Sequence, residues 1–228
     1  MPWPVSARHT AGYTVWLAPD EEQEKVVTGI LKDYSDKTFV NYKRGVERRP
    51  KGGFAPMPFG LPTPSNEVFS DPPPLPPSAI LILPPALCGH TSADSIKTMA
   101  KEKVDAYTGG PINIKFGALK STSGAWVWTP IDEGQSDSKK IDTLRTALKD
   151  RLWSTTEKSH LSVPTPYLVL LDLNPGLEAA MDPAFRYIEH ENDVRVAFDG
   201  KLPSLTLTKV VVMQGNKKIG EFPIPKAA

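Results

Sequence analysis

Internal disulfides are excluded, because the chain has a single cysteine, Cys88. That usage fits a reducing compartment and rules out a small disulfide-stapled scaffold. An excess of either charge is also missing. The 27 basic and 26 acidic residues leave a net charge of +1, so no nucleic-acid or membrane surface working by bulk electrostatics is expected. No run approaches the roughly 20 apolar residues of a membrane span. The opening residues, MPWPVSARHTAG, hold no apolar core of signal-peptide length. Histidine, the most frequent general acid–base residue, occurs only four times, at His9, His90, His160 and His190. The expectation is a soluble, cytoplasmic protein whose 228 residues suffice for a substantial core.

Proline is abundant instead. Twelve of the 24 prolines fall between Pro50 and Pro85, so they mark one region. Its sequence, FAPMPFGLPTPSNEVFSDPPPLPP at 54–77, cannot be helix, because proline lacks the amide and clashes with the preceding turn. It is richer in Phe, Met and Leu than a disordered linker. It reads either as an extended segment lying over the body, packed by Phe54, Phe59 and Phe69, or as a polyproline-like loop.

On either side of this insert the periodicity is readable. GYTVWLAP (12–19) has strand composition and stops at proline. Asp20 is placed to cap a helix over 20–33, with Val26, Val27, Ile30 and Leu31 at helical spacing. AILIL (79–83) is a strand, and a helix follows from Ala93 to Tyr107. PINIKFGALKSTSGAWVWTPI (111–131) reads as one long hairpin turning at STSG. Ile141, Leu144, Leu148 and Leu152 put one apolar face on a helix from Ser138 to Leu152. YLVLL opens a strand over 167–173, closed by Asn174-Pro175-Gly176. A short helix is expected at 176–181 and a further segment near 183–190. LTLTKVVVMQ, a QGNK turn and KIGEFPIP make a final hairpin. Helices crossing between strands in two similar halves predict an α+β fold, with a curved antiparallel sheet and helices packed outside.

This order, with GYTVWLAP, PPSAILIL, the 111–131 segment, PTPYLVLL and LTLTKVVVMQ, resembles the two-histidine (2H) phosphoesterases. The likeness is greatest to the fungal and plant cyclic phosphodiesterase branch. It covers roughly 12–34 and 78–222 and implies one two-lobed domain over 1–228, with the Pro-rich insert at about 43–77 outside the family pattern. The family's chemistry uses two strand-borne histidines facing each other across a groove, one as general base and one as general acid. A Ser or Thr two residues after each points the same way along its strand and holds phosphate oxygens.

Laid on this chain, the first motif, His-x-Thr, falls on Ala79 and Leu81, and the second, His-x-Ser, on Tyr167 and Val169. An alternative match of the first motif to PPALC places Ala86 and Cys88 there and also supplies no histidine. Neutral tyrosine has a solution pKa of about 10 and is a poor base near neutral pH. Alanine, leucine and valine have no acid–base chemistry. The resemblance therefore implies a pseudoenzyme at the family site, its groove suited to an uncharged or aromatic small molecule with the Tyr167 hydroxyl as a handle. No cofactor or metal is expected.

Two other readings stand beside it. His90-Thr91-Ser92 and His160-Leu161-Ser162 are 70 residues apart, and a shifted match would make His90, Ser92, His160 and Ser162 a working 2′,3′-cyclic nucleotide phosphodiesterase site. Alternatively the Pro-rich segment is the surface of a non-catalytic interaction module. Weaker candidates have bland readings. His190 among Glu189, Glu191 and Asp193 reads as a solvated turn before a metal site. Trp126 and Trp128 read as core before a stacking platform. Lys43, Arg44, Arg48, Arg49 and Lys51 read as a solvated loop, and Cys88 as an inert buried thiol before a nucleophile.

Overall fold

The computed structural model describes residues 12–30, 78–118, 120–122, 126–161, 163, 165–172, 202–215 and 217–227. The Pro-rich insert, the basic stretch at 43–51, the expected segments at 176–181 and 183–190, His9, and His190 with its acidic neighbours lie outside them.

Strand β1 (Tyr13–Pro19) leads into helix α1 over 21–30. Asp20 caps it, its carboxylate accepting from the Gln23 amide at 2.9 Å. Val27 is fully buried and Ile30 half-buried, whereas Val26 is exposed, so the apolar face of this helix is narrower than its spacing suggests. Strand β2 (Ile80–Ala86) runs on through Pro84 and Pro85. Helix α2 (Ala93–Asp105) starts at Ser92, whose hydroxyl accepts from the Ser95 amide. It stops two residues short of the expected Tyr107.

The expected 111–131 hairpin is corrected by the structure. Strand β3 (Ile112–Ile114) pairs with the C-terminal strand, and the hairpin proper is made by β4 (Lys120–Thr122) and β5 (Trp126–Pro130). Alternation reports which face is buried, and not which strand lies alongside. A remnant of the expected pairing survives in the Phe116–Ile131 bridge. Helix α3 (Ser138–Leu152) buries Ile141, Leu144, Leu148 and Leu152 as its spacing predicts. A short helix, α4 (Thr155–His160), was not legible from periodicity, because none of its residues is buried. Strand β6 (Tyr167–Asp172) follows, then the hairpin of β7 (Leu205–Gln214) and β8 (Lys217–Pro223). Gly215 turns that hairpin at φ 53°, in the left-handed region that glycine tolerates.

All described pairings are antiparallel, and the strands form one sheet in the order β3-β7-β1-β2-β6-β5-β4, with β8 also on β7. Among the described residues the two halves join where β2 meets β6, at one registered pair, Leu81–Tyr167. Proline has no amide N–H, so Pro84 and Pro85 contribute no donors to the ladder of β2.

One face carries the main core. Val15, Leu17, Ile80, Ile82, Leu168 and Val210 belong to it. Ile96, Ala100 and Val104 of α2 and Leu144 and Leu148 of α3 pack into the same cluster. Each such side chain contributes on the order of 1.5–3 kcal/mol by leaving water. The other face is set by strict alternation: Tyr13, Val15 and Leu17 face the helices, and Trp16 and Ala18 face away.

Candidate functional site

The site begins from that second face. Register places Val211 of β7 opposite Trp16 of β1, Trp16 opposite Leu81 of β2, and Leu81 opposite Tyr167 of β6. Four side chains therefore form a row across the sheet's centre. Ala18, Ala79 and Met213 complete a separate apolar cluster with them. None of the cluster's residues is more than 8% exposed, so the face is closed to solvent. Two polar groups accompany it. The Trp16 indole N–H donates to the buried Thr14 hydroxyl at 2.8 Å. Burial pushes the Tyr167 phenol up to about 12, so it stays neutral across the physiological range.

The antiparallel sheet, curled into a half-barrel with helices on one face, matches the fold of a solved structure, that of Usb1 from Kluyveromyces marxianus. The two share 8% sequence identity and a TM-score of 0.51, over 94% of this chain and 98% of that one. The chain has a 2H phosphoesterase-like fold. A second structure, of the same yeast's Usb1 with uridine monophosphate, gives a TM-score of 0.47 at 9% identity, over 93% of this chain and 97% of that one. No protein-family model matches the sequence, and no curated protein does. At such identities the likeness is one of fold.

Within this fold the structure brings Ala79, Leu81 and Tyr167 together on one face of the two central strands. Val169 lies two residues further along β6, and its side chain, like those of Trp126 and Trp128, is outside the described groups. The alternative positions Ala86 and Cys88 belong to the main core, on the helix side. The two His-x-Ser triplets sit elsewhere. His90 is exposed in a turn beyond β2, and His160 is the exposed last residue of α4. Neither is on a strand. Ser92 is committed to capping α2, and Ser162 is outside the described residues. Among the described residues no group of three or more His, Cys, Asp or Glu is placed to hold a metal, and no helix is long and apolar enough to cross a membrane.

Among the described residues of this cluster none carries a formal charge and none is a histidine, and burying an unpaired anion against them would cost several kcal/mol.

Beside the seam, sequence reasoning missed a second construction. Cys88, Gly89 and His90 all have left-handed φ, at 53°, 64° and 60°. Two of them are not glycine, so this turn is strained by about 1–2 kcal/mol each. Leu87 before them is right-handed, and a right-handed residue followed by a left-handed one turns successive amides toward a common anion site. The Glu157 carboxylate fills it. The Cys88 amide donates to Glu157 Oε1 at 2.7 Å, while the Ser154 amide and hydroxyl donate to Oε2, each at 2.8 Å. Burial opposes the Glu157 charge, but these hydrogen bonds outweigh it, and its carboxyl sits below the ordinary value. The sequence signal was Ser154-x-x-Glu157, a capping box without an apolar run behind it.

Two expected outcomes follow from this turn. Because the folded pKa of Glu157 is lowered, its contribution to stability is present above about pH 4.3, the unfolded value, and is lost as pH falls through the folded one. Glu157→Ala should cost about 1–2 kcal/mol at pH 7 in urea unfolding, with the gap to the parent protein narrowing below pH 4. A gap that stayed constant to pH 3 would contradict the ionic role. Cys88 is only 3% exposed, and burial, with the Glu157 charge, pushes its thiol up to about 12. Its reaction with an aromatic disulfide at pH 7.5 should be at least about 100-fold slower in the native protein than in urea. Equal rates would show that the thiol is open to attack.

Proposed function

We propose that this chain is a divergent cyclic phosphodiesterase-like protein that does not hydrolyse phosphoesters at its central strands, and that the former groove receives an uncharged, apolar or aromatic small molecule. The observation that carries this reading is the Trp16–Leu81–Tyr167 row with Ala79 beside it. Where the family's chemistry asks for two histidines and two hydroxyls, these central positions offer alanine, leucine and a neutral phenol. The closed face means that binding is coupled to its opening, so the ligand selects a less populated, open form. The single buried cysteine is in keeping with a reducing, cytoplasmic setting.

Phosphorus NMR with 2′,3′-cyclic nucleotides and the cyclic phosphate of ADP-ribose tests the catalytic half. No ring opening is expected over a long incubation. Opening that disappears in His160→Ala would overturn the reading and make His160 catalytic. The binding half is tested by amide chemical shifts with indole, p-cresol and phenyl phosphate. Indole and p-cresol should move resonances of β1, β2 and β6, and phenyl phosphate should not. The same response to phenyl phosphate would place an anion site on this face and remove the reason for the assignment.

A further inference from the structure

Helix α4 is held to the body by polar groups. None of its residues is buried, so no apolar face fixes it in place. Its two ends are anchored. Trp153, which closes α3, is buried, and Leu161, which closes α4, packs against the main core. Between these anchors lie two polar ties. Lys158 Nζ donates to the Asp150 carbonyl of α3 at 2.8 Å. The Glu157 carboxylate takes the Cys88 amide, 69 residues away in the chain.

The other half of this contact is the 87–90 turn. Gly89 lies against the start of α4: a methyl group added there would come 3.7 Å from the Ser154 Cβ. The turn's own backbone bonds are short-range, from the His90 amide to the Leu87 carbonyl at 3.1 Å and from the Thr91 amide to the Cys88 carbonyl at 3.3 Å. Left-handed φ at Cys88 and His90 is disfavoured for residues with a Cβ, so this shape persists only while its surroundings hold it. Glu157 contributes that hold, and one carboxylate serves two elements. Oε1 binds the turn, and Oε2 binds Ser154, the cap of α4. When it lets go, the Cys88 amide and the α4 cap lose their partner together, and the turn is free to relax to ordinary φ.

We propose that α4 and the 87–90 turn form a clasp that opens as one local unit, at a free energy below that of global unfolding, with Glu157 as its catch. The ties that break are polar and lie near water, so the opening costs less than unfolding the sheet. What it uncovers is the Cys88 thiol, buried in the main core at the end of β2. A carboxylate on one element thereby gates the chain's single thiol on another. The clasp is independent of the function proposed for the Tyr167 face.

The test uses the whole chain and two readouts at pH 7.5. An aromatic disulfide reports access to Cys88: the thiol gives its proton to water, its sulfur joins one sulfur of the reagent, and the other leaves as a coloured thiolate. Hydrogen exchange read by NMR follows the amides of His90, Thr91, Lys158 and Leu161, whose acceptors all lie within the clasp. In the parent protein these four should exchange faster than the amides of β1 and β7. Glu157→Ala should raise the thiol rate and the four exchange rates together, by at least about fivefold. Ser154→Ala leaves the Glu157 charge in place and loosens the cap, and should raise both by at least about threefold. Val210→Ala removes part of the main core, far from the clasp in sequence. It should speed the β1 and β7 amides and leave the thiol and the four clasp amides unchanged, because the locally open form keeps that core. Val210→Ala raising the thiol rate as much as Glu157→Ala would mean that only global unfolding reaches Cys88. A faster thiol in Glu157→Ala but not in Ser154→Ala would mean that the carboxylate acts through charge alone. Either result, or a thiol rate the same in Glu157→Ala as in the parent, would overturn the inference.

Discussion

Replacing Trp16 by alanine is expected to destabilise the protein by about 3–5 kcal/mol, the range for losing a large aromatic from a packed interior. Trp16 is the hub of the second face, opposite Leu81 on one side and Val211 on the other. Its loss removes the side chain that joins the β7 and β2 parts of the row. The substitution also strands the Thr14 hydroxyl, which is 1% exposed and accepts the indole N–H. The two effects can be separated. Trp16→Phe keeps most of the apolar volume and leaves the hydroxyl without its donor, at a cost of about 1–3 kcal/mol. Thr14→Val in that background removes the stranded group and should recover part of the loss. Urea unfolding of the parent, Trp16→Phe, Thr14→Val and the double variant closes the cycle. A Trp16→Ala cost below 1 kcal/mol would mean that the face is loosely packed, and Thr14→Val giving no recovery would mean that water already serves the hydroxyl.

The same alternation that builds this face explains what was legible in the sequence. Strand β1 reads Tyr-Thr-Val-Trp-Leu-Ala-Pro, apolar at nearly every position, and every residue of it is buried. Such a run announces burial on both sides and gives no hint of which side holds a site. Ile141, Leu144, Leu148 and Leu152 were read directly, because one apolar face against one core leaves a 3.6-residue period. Pairing was harder. Residues 112–114 alternate equally well beside β5 or β7, and the choice of β7 is made by contacts nearly 100 residues away. The candidate site was half legible. Resemblance led to Ala79, Leu81 and Tyr167, and the structure sets these three side by side. The left-handed Cys88–His90 turn had only Gly89 to advertise it, and its partner Glu157 comes from a helix with no buried residue.

Leu168→Ala should lower stability by about 2–5 kcal/mol, the second large effect, and the reason lies in where β6 stands. Its neighbour Tyr167 faces the second cluster, while Leu168, fully buried, faces the main core on the helix side. Among the described residues, strand β6 registers with β2 at one pair and with β5 along most of its length. The half of the sheet formed by β4, β5 and β6 is therefore attached to the rest by few backbone bonds. Apolar side chains such as Leu168 must carry the joint. A cavity at Leu168 should loosen that seam ahead of global unfolding. Hydrogen exchange would show this as faster exchange of β5 and β6 amides, with β1 and β7 amides protected to nearly the full stability of the variant. Uniform acceleration over all strands would instead mean that both halves unfold as one unit. The distinction bears on function, because a seam that opens locally is the route by which a ligand would reach the closed face around Tyr167. If β6 opens on its own, that face is accessible in a minor state of the native protein; if it opens only with the whole sheet, the Tyr167 cluster is core and the search for a ligand belongs elsewhere.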